Sequence, residues 1–421
     1  MSTFHPTIRR LGRALAACGL LAATAAHAGE VEVLHWWTSG GEAKAATALK
    51  GQMLKLGHTW RDFAVAGGGG DSAMTVLKSR VVSGNAPAAA QIKGPSIQEW
   101  AQEGVLANID DVAKANDWDN LLPKAIADGL KYKGSYVAAP VNVHRVNWLW
   151  ANPAVFQKAG AKVPTTWDEF FTAAEALKKA GVIPVAHGGQ NWQDFTTFEA
   201  VALGIGGADF YKKALVQLDQ GALKSATMEK VLTTFKRVKE YTDKNAPGRD
   251  WNLATAMVIN GQAGMQIMGD WAKGEFLAAG KTPGKDFICA PAPGSAKAYT
   301  YNVDSFAMFK IKNEQNVKAQ KDLAAAIVSP QFQEVFNLNK GSIPVRLNMD
   351  LSKFDDCAKQ SSADFVASSK AGTLLPSIAH GMAVPSAAEG AIKDAVSQFW
   401  NTDRMTPKEA MERIASAARI K

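Results

Sequence analysis

Short apolar, β-rich runs alternate with amphipathic segments of helical period along most of the chain. The run "VEVLHW" at 31–36 predicts a first strand, and "EAKAATALKGQMLKLG" predicts the helix that follows it and stops at Gly57. A second strand at "WRDFAVAG", a helix with Asp71 as its N-cap that ends at Gly84, and a third strand at "AAAQIKGPS" come next. Three strand–helix steps in succession predict a doubly wound α/β lobe.

The same alternation begins again at "VNVHRVNWLWANP" and continues to the C-terminus. "VPTTWDEFFTAAEALKKAG" predicts a helix capped by Thr165 or Thr166, and "VIPVAHGG" predicts a buried strand after it. Near the C-terminus, Thr406 and Glu409 have the spacing of a capping box. No repeat and no low-complexity linker separates the two sets, which is typical of lobes joined by several chain crossings.

The N-terminus has the pattern of a secretory signal peptide. Three arginines precede an apolar stretch that is too short to span a bilayer, and "AHA" then has the small-x-small form of a cleavage site. We expect a signal peptide at 1–28, cleavage near Ala28, and a periplasmic mature chain. The formal net charge of +8 is spread without Lys/Arg blocks, so we expect no nucleic-acid partner.

The motifs of catalysis and cofactor binding are missing from the sequence. The tetraglycine Gly67–Gly70 lacks the Lys-Ser/Thr pair of a P-loop and the spacing of a dinucleotide fingerprint, so it indicates flexibility or close backbone packing. The histidines have no metal-ligand spacing, and no nucleophile lies in a catalytic pattern. We therefore expect no catalytic residues, no metal ion and no cofactor. Cys289 and Cys357 could form a disulfide or remain two buried thiols.

Tryptophan is the residue type in surplus. The chain has 12 tryptophans but only 6 tyrosines, and an indole offers a flat apolar face that suits the C–H face of a pyranose ring. Trp36 and Trp37 are adjacent at the end of the first predicted strand. Successive strand residues point to opposite faces, so we expect one of these indoles in the core unless the strand ends there.

Three stretches carry a resemblance to a known family: "GEAKAATALKGQM" after the first strand, 163–189 and 322–346. They resemble the carbohydrate-binding proteins of bacterial ABC uptake systems, the extracellular solute-binding family that includes maltose-binding protein. Adjacent tryptophans near the mature start are similar to those of the glucose/mannose-type monosaccharide-binding subgroup. The likeness runs over nearly all of 30–420.

The resemblance implies an α/β, two-lobe periplasmic binding protein fold in which each lobe is a doubly wound sheet and the chain crosses three times between lobes. Matched positions put the N-terminal lobe at 29–142 plus 305–340 and the C-terminal lobe at 143–304 plus 341–421. The implied function is capture of a glucose-like monosaccharide between closing lobes and its delivery to the membrane subunits of an ABC transporter, by a protein we expect to be a monomer.

The resemblance also implies the ligand-binding residues, which are Trp36, Trp37, Glu42, Lys93, Trp251, Trp271, Asn302, Asp304, Lys340 and His380. It assigns no ligand contact to His144, Arg145 or Trp150, because "HRVNWLWAN" departs from the tyrosine-rich form of the first crossing. Binding of an oligosaccharide or a polyamine, a receptor role that feeds a sensor kinase, and a periplasmic carbohydrate-active enzyme are the alternatives. A polyamine site needs acids and should not place Lys93 and Lys340 in the cleft.

Overall fold

The computed structural model describes residues 28–420, so the predicted signal peptide lies, apart from Ala28, outside the described residues. The strands of this part are β1 Glu30–His35, β2 Thr59–Ala64, β3 Ala89–Gln91, β4 Lys131–Tyr132, β5 Ser135–Tyr136, β6 Ala138–Pro140, β7 His144–Arg145, β8 Trp148–Ala151, β9 Ile183–Val185, β10 Ala263–Ile267, β11 Ile288–Pro291, β12 Tyr299–Asn302, β13 Ser305–Met308 and β14 Leu374–Pro376.

The α-helices between them are α1 Gly40–Lys55, α2 Asp71–Val82, α3 Pro95–Gln102, α4 Asp110–Ala115, α5 Trp118–Leu121, α6 Lys124–Gly129, α7 Pro153–Ala159, α8 Trp167–Lys179, α9 Asn191–Tyr211, α10 Gln220–Leu223, α11 Ala226–Lys239, α12 Trp251–Ile259, α13 Trp271–Ala278, α14 Glu314–Val328, α15 Pro330–Lys340, α16 Asp356–Ala371, α17 Ser386–Asn401 and α18 Pro407–Ala417. No helix within residues 28–420 is both long enough and apolar enough to cross a membrane.

The first lobe is built on a five-stranded sheet of order β2-β1-β3-β13-β6. β1 pairs in parallel with β2 and β3, as the three predicted strand–helix steps require, while β13 runs antiparallel to β3 and β6. Val31, Val33 and Leu34 of β1 are fully buried and lie in one apolar core with α1, α14 and α15. This sheet and the helices on its core are called the first lobe below.

The second lobe is built on a four-stranded sheet of order β11-β8-β10-β9, in which β9 and β10 are parallel and β8 is antiparallel to its neighbours. Trp148, Leu149 and Trp150 in β8 are all buried, because this central strand is covered on both faces. The helices α8, α9, α11, α17 and α18 pack around this sheet and form a separate apolar core. A three-stranded sheet of order β14-β12-β7 completes the fold.

The local signals for helix ends are largely confirmed. Thr166 and Thr406 each accept a hydrogen bond from the N3 backbone N–H, and the N3 glutamates complete two capping boxes. The assignment of Asp71 as an N-cap is wrong by one residue. Gly70 occupies that position with φ +112°, and Asp71 is the first residue of α2.

Cys289 in β11 and Cys357 in α16 form a disulfide, which is one of the two possibilities that the sequence left open. Helix α16 lies between the two cores, because Phe365 packs on the first one while Cys357 packs beside the second-lobe sheet. The two-lobe α/β fold is confirmed by solved structures described below. The residue bounds of the lobes and the number of crossings stay a prediction.

Candidate functional site

A cleft of about 250 Å³ lies between the two lobes. All ten residues that the sequence analysis proposed as ligand contacts line this cleft. Ten further residues line the cleft without having been expected from the sequence: Thr38, Ser39, Ala66, Gly67, Gly69, His144, Gln190, Trp192, Asp250 and Asn252. Arg145 and Trp150 are buried elsewhere in the protein.

The lining residues lie where strands of both sheets end. Trp36 and Trp37 follow β1, and Lys93 follows β3, which is parallel to β1. Across the cleft, Trp271 comes after β10, and Trp192 comes after its parallel neighbour β9. Loops at the carboxyl ends of parallel strands meet at one edge of a sheet, which is where doubly wound folds bind their ligands.

Trp36 and Trp37 both border the cleft, but their surroundings differ. Trp37 is buried, and its ring packs against Phe306 and Phe336 at centroid distances of 5.4 and 5.0 Å. Trp36 is only partly buried, and the Lys93 Nζ lies 5.3 Å from its ring centroid. β1 ends at His35, so the first indole faces the cleft while the second anchors the loop in the core.

The tetraglycine lies under two of the cleft's indoles. A Cβ on Gly70 would lie 3.0 Å from the ring of Trp36, and a Cβ on Gly69 would lie 3.0 Å from the ring of Trp192. Both glycines also have positive φ, +112° and +59°. Close backbone packing, one of the two explanations offered from the sequence, is therefore the role of this loop.

The second lobe supplies a wall of three rings. Trp192 and Trp271 lie 6.4 Å apart between centroids, and His380 lies 4.8 Å from Trp271 and 5.8 Å from Trp192. The indole N–H of Trp192 donates to the Gln190 side chain at 2.7 Å, and the Gln190 amide donates to Asp250 at 2.6 Å. Sequence reasoning missed Trp192, although its position just after a buried strand was a usable signal.

His144 joins two carboxylates at the base of the cleft. Its Nδ1 is paired with Asp270, and its Nε2 lies 2.9 Å from Asp304 Oδ2. Burial alone lowers the pKa of His144, but the two carboxylates outweigh it and the net pKa is raised. Sequence reasoning offered no basis for assigning His144 a ligand contact, and the structure places it on the cleft lining, where it pairs with Asp270, far away in sequence.

Asp304 is held ionised by the same cluster. Burial alone would raise its pKa, but the charge and hydrogen bond of His144, with Lys340 and Lys93 nearby, lower it well below the usual range. Asp304 also accepts hydrogen bonds from the amides of Gln91 at 3.1 Å and Asn142 at 3.3 Å. An ionised carboxylate in a dry site is a strong acceptor for a ligand hydroxyl.

Two lysines border the cleft, and they differ in whether a carboxylate pairs with them. Lys340 is buried and forms an ion pair with Glu42, which comes from the first turn of α1. No carboxylate within residues 28–420 lies at ion-pair distance from Lys93, and burial lowers its pKa. The Lys93 ammonium thus borders the cleft beside the Trp36 ring, close enough to Asp304 for the two charges to interact but without a direct ion pair.

Unsatisfied polar atoms concentrate at this cleft. Among the described residues, seven buried side-chain polar atoms have no hydrogen-bond partner, and three of them belong to lining residues: Trp37 Nε1, Ser39 Oγ and Asn302 Oδ1. Buried polar groups normally find partners, and these three atoms have hydrogen-bonding capacity left for a polar ligand. No cluster of metal-binding side chains occurs in the described part of the chain.

The bacterial extracellular solute-binding protein family matches residues 62–334. A protein of Brucella suis named "Probable sugar-binding periplasmic protein" is 49% identical over 98% of this chain and 99% of its own. Two solved structures share the fold at low identity. One is a chitin oligosaccharide binding protein, with a TM-score of 0.78, 18% identity, and coverage of 93% of this chain and 98% of that chain.

The other is a bacterial solute receptor with an exclusive preference for β-D-galactopyranose, with a TM-score of 0.76, 19% identity, and coverage of 93% and 98% of the two chains. The family consists of solute-binding proteins and not of enzymes, so the expectation of a non-catalytic role is confirmed at this level. The matched segment spans more than half of the sequence, and the relatives align over almost its full length. The chain therefore belongs to the bacterial extracellular solute-binding protein family.

Proposed function

We propose that this chain is a periplasmic sugar-binding protein that captures a glucose-like monosaccharide between its lobes and delivers it to the membrane subunits of an ABC transporter. The observation that carries the proposal is the cleft, walled by Trp36 on one lobe and by Trp192 and Trp271 on the other. Its near relatives, which are named sugar-binding periplasmic proteins, support both the ligand class and the compartment.

Size favours a monosaccharide over a longer chain. The cleft holds about 250 Å³, while pockets for drug-sized ligands begin at about 300 Å³. A single pyranose needs two apolar faces and a ring of hydrogen-bonding groups around its edge. Indoles from opposite lobes can supply the faces, and Asp304, Lys93 and Asn302 can supply the acceptors and donors.

A polyamine fits the same cleft poorly. The free ammonium of Lys93 lies 5.3 Å from the Trp36 ring centroid, on the aromatic face that a polyamine nitrogen would need. Lys340, 5.6 Å from the Trp37 ring centroid, is ion-paired with Glu42, so that carboxylate is not free to bind a ligand nitrogen. The Lys93 charge repels a cationic ligand, whereas its N–H groups can donate hydrogen bonds to a sugar hydroxyl.

The mechanism is capture by closure. Each lobe carries part of the wall, so a sugar contacts both parts only when the lobes are closed and thereby shifts the equilibrium to that form. The family resemblance places the three crossings between lobes near 142–146, 301–305 and 340–346, and each of these segments carries a cleft residue, respectively His144, Asp304 and Lys340. Hinge segments that bear ligand groups couple occupancy of the cleft to the angle between the lobes.

Tryptophan fluorescence titration tests the proposal with D-glucose, D-mannose, D-galactose, maltose and putrescine as ligands. We expect a saturable response to at least one hexose and none to putrescine. A response to maltose alone would instead assign an oligosaccharide, and a response to putrescine alone would overturn the sugar proposal.

A matched pair of variants places the ligand. Trp36 and Trp100 are both partly buried tryptophans of the first lobe, but only Trp36 lines the cleft. Trp36→Ala should weaken hexose binding about tenfold or more, because burial of a large aromatic face is worth about 1.5–3 kcal/mol. Trp100→Ala should leave the affinity unchanged. Equal affinities for both variants would remove Trp36 from the site.

A further inference from the structure

Helix α1 receives its N-terminal hydrogen-bond partner from the opposite lobe. Ser39 stands at its N-cap with extended backbone, yet the hydroxyl makes no capping hydrogen bond. The backbone N–H of Gly41 donates instead to Glu275 Oε1 at 2.8 Å. Glu275 lies on α13, whose apolar face packs in the core of the second lobe.

Helix α17 of the second lobe shows the reciprocal arrangement. Pro385 precedes it and has no side-chain acceptor for a cap. The backbone N–H of Ser386 donates to Glu99 Oε1 at 2.8 Å, and the Ser386 hydroxyl donates to Glu99 Oε2 at 2.6 Å. Glu99 lies on α3, which packs in the core of the first lobe through Ile97 and Ala101.

Several other helices are capped by a side chain of their own chain segment. In α8 and α18 a threonine and the N3 glutamate form a capping box within the helix itself. The glutamates at α1 and α17 accept the same kind of hydrogen bond from a helix N-terminus, but here the carboxylate and the helix belong to different lobes. Separation of the lobes at either place would leave the helix N–H groups and the carboxylate to water.

Both glutamates lie where the lobes touch tightly. A Cβ on Gly41 would lie 2.7 Å from the carbonyl carbon of Gly274, and a Cβ on Gly94 would lie 2.2 Å from the carbonyl oxygen of Gly381. Such short distances between backbones of the two lobes allow no side chain between them. The two contacts flank the cleft and exist only while the lobes are together.

We propose that Glu99 and Glu275 set the closing equilibrium of the protein by capping helices across the cleft, and so determine its sugar affinity without touching the sugar. A carboxylate at a helix N-terminus satisfies unpaired N–H groups and interacts favourably with the helix dipole. Both gains are realised only in the closed form. The proposal rests on the proposed function, because it assumes that closure accompanies sugar binding.

The variants Glu99→Ala and Glu275→Ala remove the acceptor and test the proposal, with Glu409→Ala as the matched control. Glu409 makes the same contact to a helix N-terminus, but within the second lobe. Each cross-cleft variant should weaken hexose binding roughly 3- to 10-fold, and the double variant by about the product, because the two glutamates cap different helices and share no hydrogen-bond partner. The control should bind the hexose with unchanged affinity.

Small-angle X-ray scattering of the sugar-free proteins provides a readout that needs no ligand. The double variant should have a larger radius of gyration than the wild type and the control, because its lobes separate more often. Unchanged dimensions together with unchanged affinity would overturn the role of these glutamates. If no hexose bound the wild type but the dimensions still shifted, the monosaccharide proposal would fail and the capping proposal would stand.

Discussion

Replacement of Gly69 by alanine should damage sugar binding through an indole that the new methyl group touches. Gly69 has φ +59°, and a Cβ placed on it would lie 3.0–3.2 Å from three ring atoms of Trp192. Carbon atoms pack best at about 3.5–4.0 Å, so the ring must move by roughly half an ångström. Trp192 is hydrogen-bonded to Gln190 and packed between Trp271 and His380, so its movement disturbs the whole second-lobe wall.

Two separable effects follow from this substitution. A non-glycine residue in the left-handed region costs about 1–2 kcal/mol, which lowers the free energy of unfolding. Displacement of the indole should cost a further ~1 kcal/mol of binding free energy, which weakens hexose affinity about 5-fold. Only the second effect concerns the cleft.

Gly84→Ala separates the two effects. Gly84 ends the same helix that Gly69 precedes, it has φ +73°, and a Cβ there would meet nothing within 4 Å. Denaturant unfolding should show similar losses of stability for the two variants, while calorimetric titration with D-glucose should show weakened binding for Gly69→Ala alone. If both variants bound D-glucose as the wild type does, Trp192 would not be a wall of the sugar site.

Three further outcomes are expected. Burial raises the pKa of Glu199 to about 7, so the wild type loses stability as pH rises from about 4.5 through 7. Between pH 5 and 8, the free energy of unfolding of Glu199→Gln should therefore increase by about 3 kcal/mol relative to that of the wild type in denaturant titrations. Two carboxylates raise the pKa of His144 against the effect of burial, so the wild type's stability advantage over His144→Gln should be full below pH 6.5 and shrink as pH rises through the folded pKa. The disulfide closes a 68-residue loop, so the double variant Cys289→Ser/Cys357→Ser should lose about 4 kcal/mol in denaturant unfolding; no loss would show that the bridge is dispensable.

Local sequence signals were sufficient for the elements and for several helix ends. The period of the apolar residues in "VEVLHW" and the Thr166 and Thr406 capping boxes depend on neighbours within a few positions, and the structure confirms them. The Asp71 assignment failed for a reason outside the helix. The glycine before it takes φ +112° to pass beneath the Trp36 ring, and it therefore occupies the cap position.

Lining residues of the cleft could be predicted where a strand end and the family resemblance point to the same position. They were missed where their role depends on partners far away in the sequence. All ten proposed residues lie on one cleft, although their contact with a sugar stays a proposal. His144 was missed because it acts between Asp270 and Asp304, more than a hundred positions away on the chain. Ser39 was missed because a serine at an N-cap normally caps its own helix, and here Glu275 has taken that hydrogen bond.

The unpartnered atoms of Trp37, Ser39 and Asn302 bear on how the transporter uses ATP. A buried donor or acceptor without a partner destabilises the form that contains it, so these atoms favour the loaded closed form over the vacant closed form. Under the proposed function, sugar hydroxyls become their hydrogen-bond partners. A transporter that recognises the closed form would then be engaged more often by loaded carriers than by unloaded ones, and its ATP would be hydrolysed mainly when cargo is present.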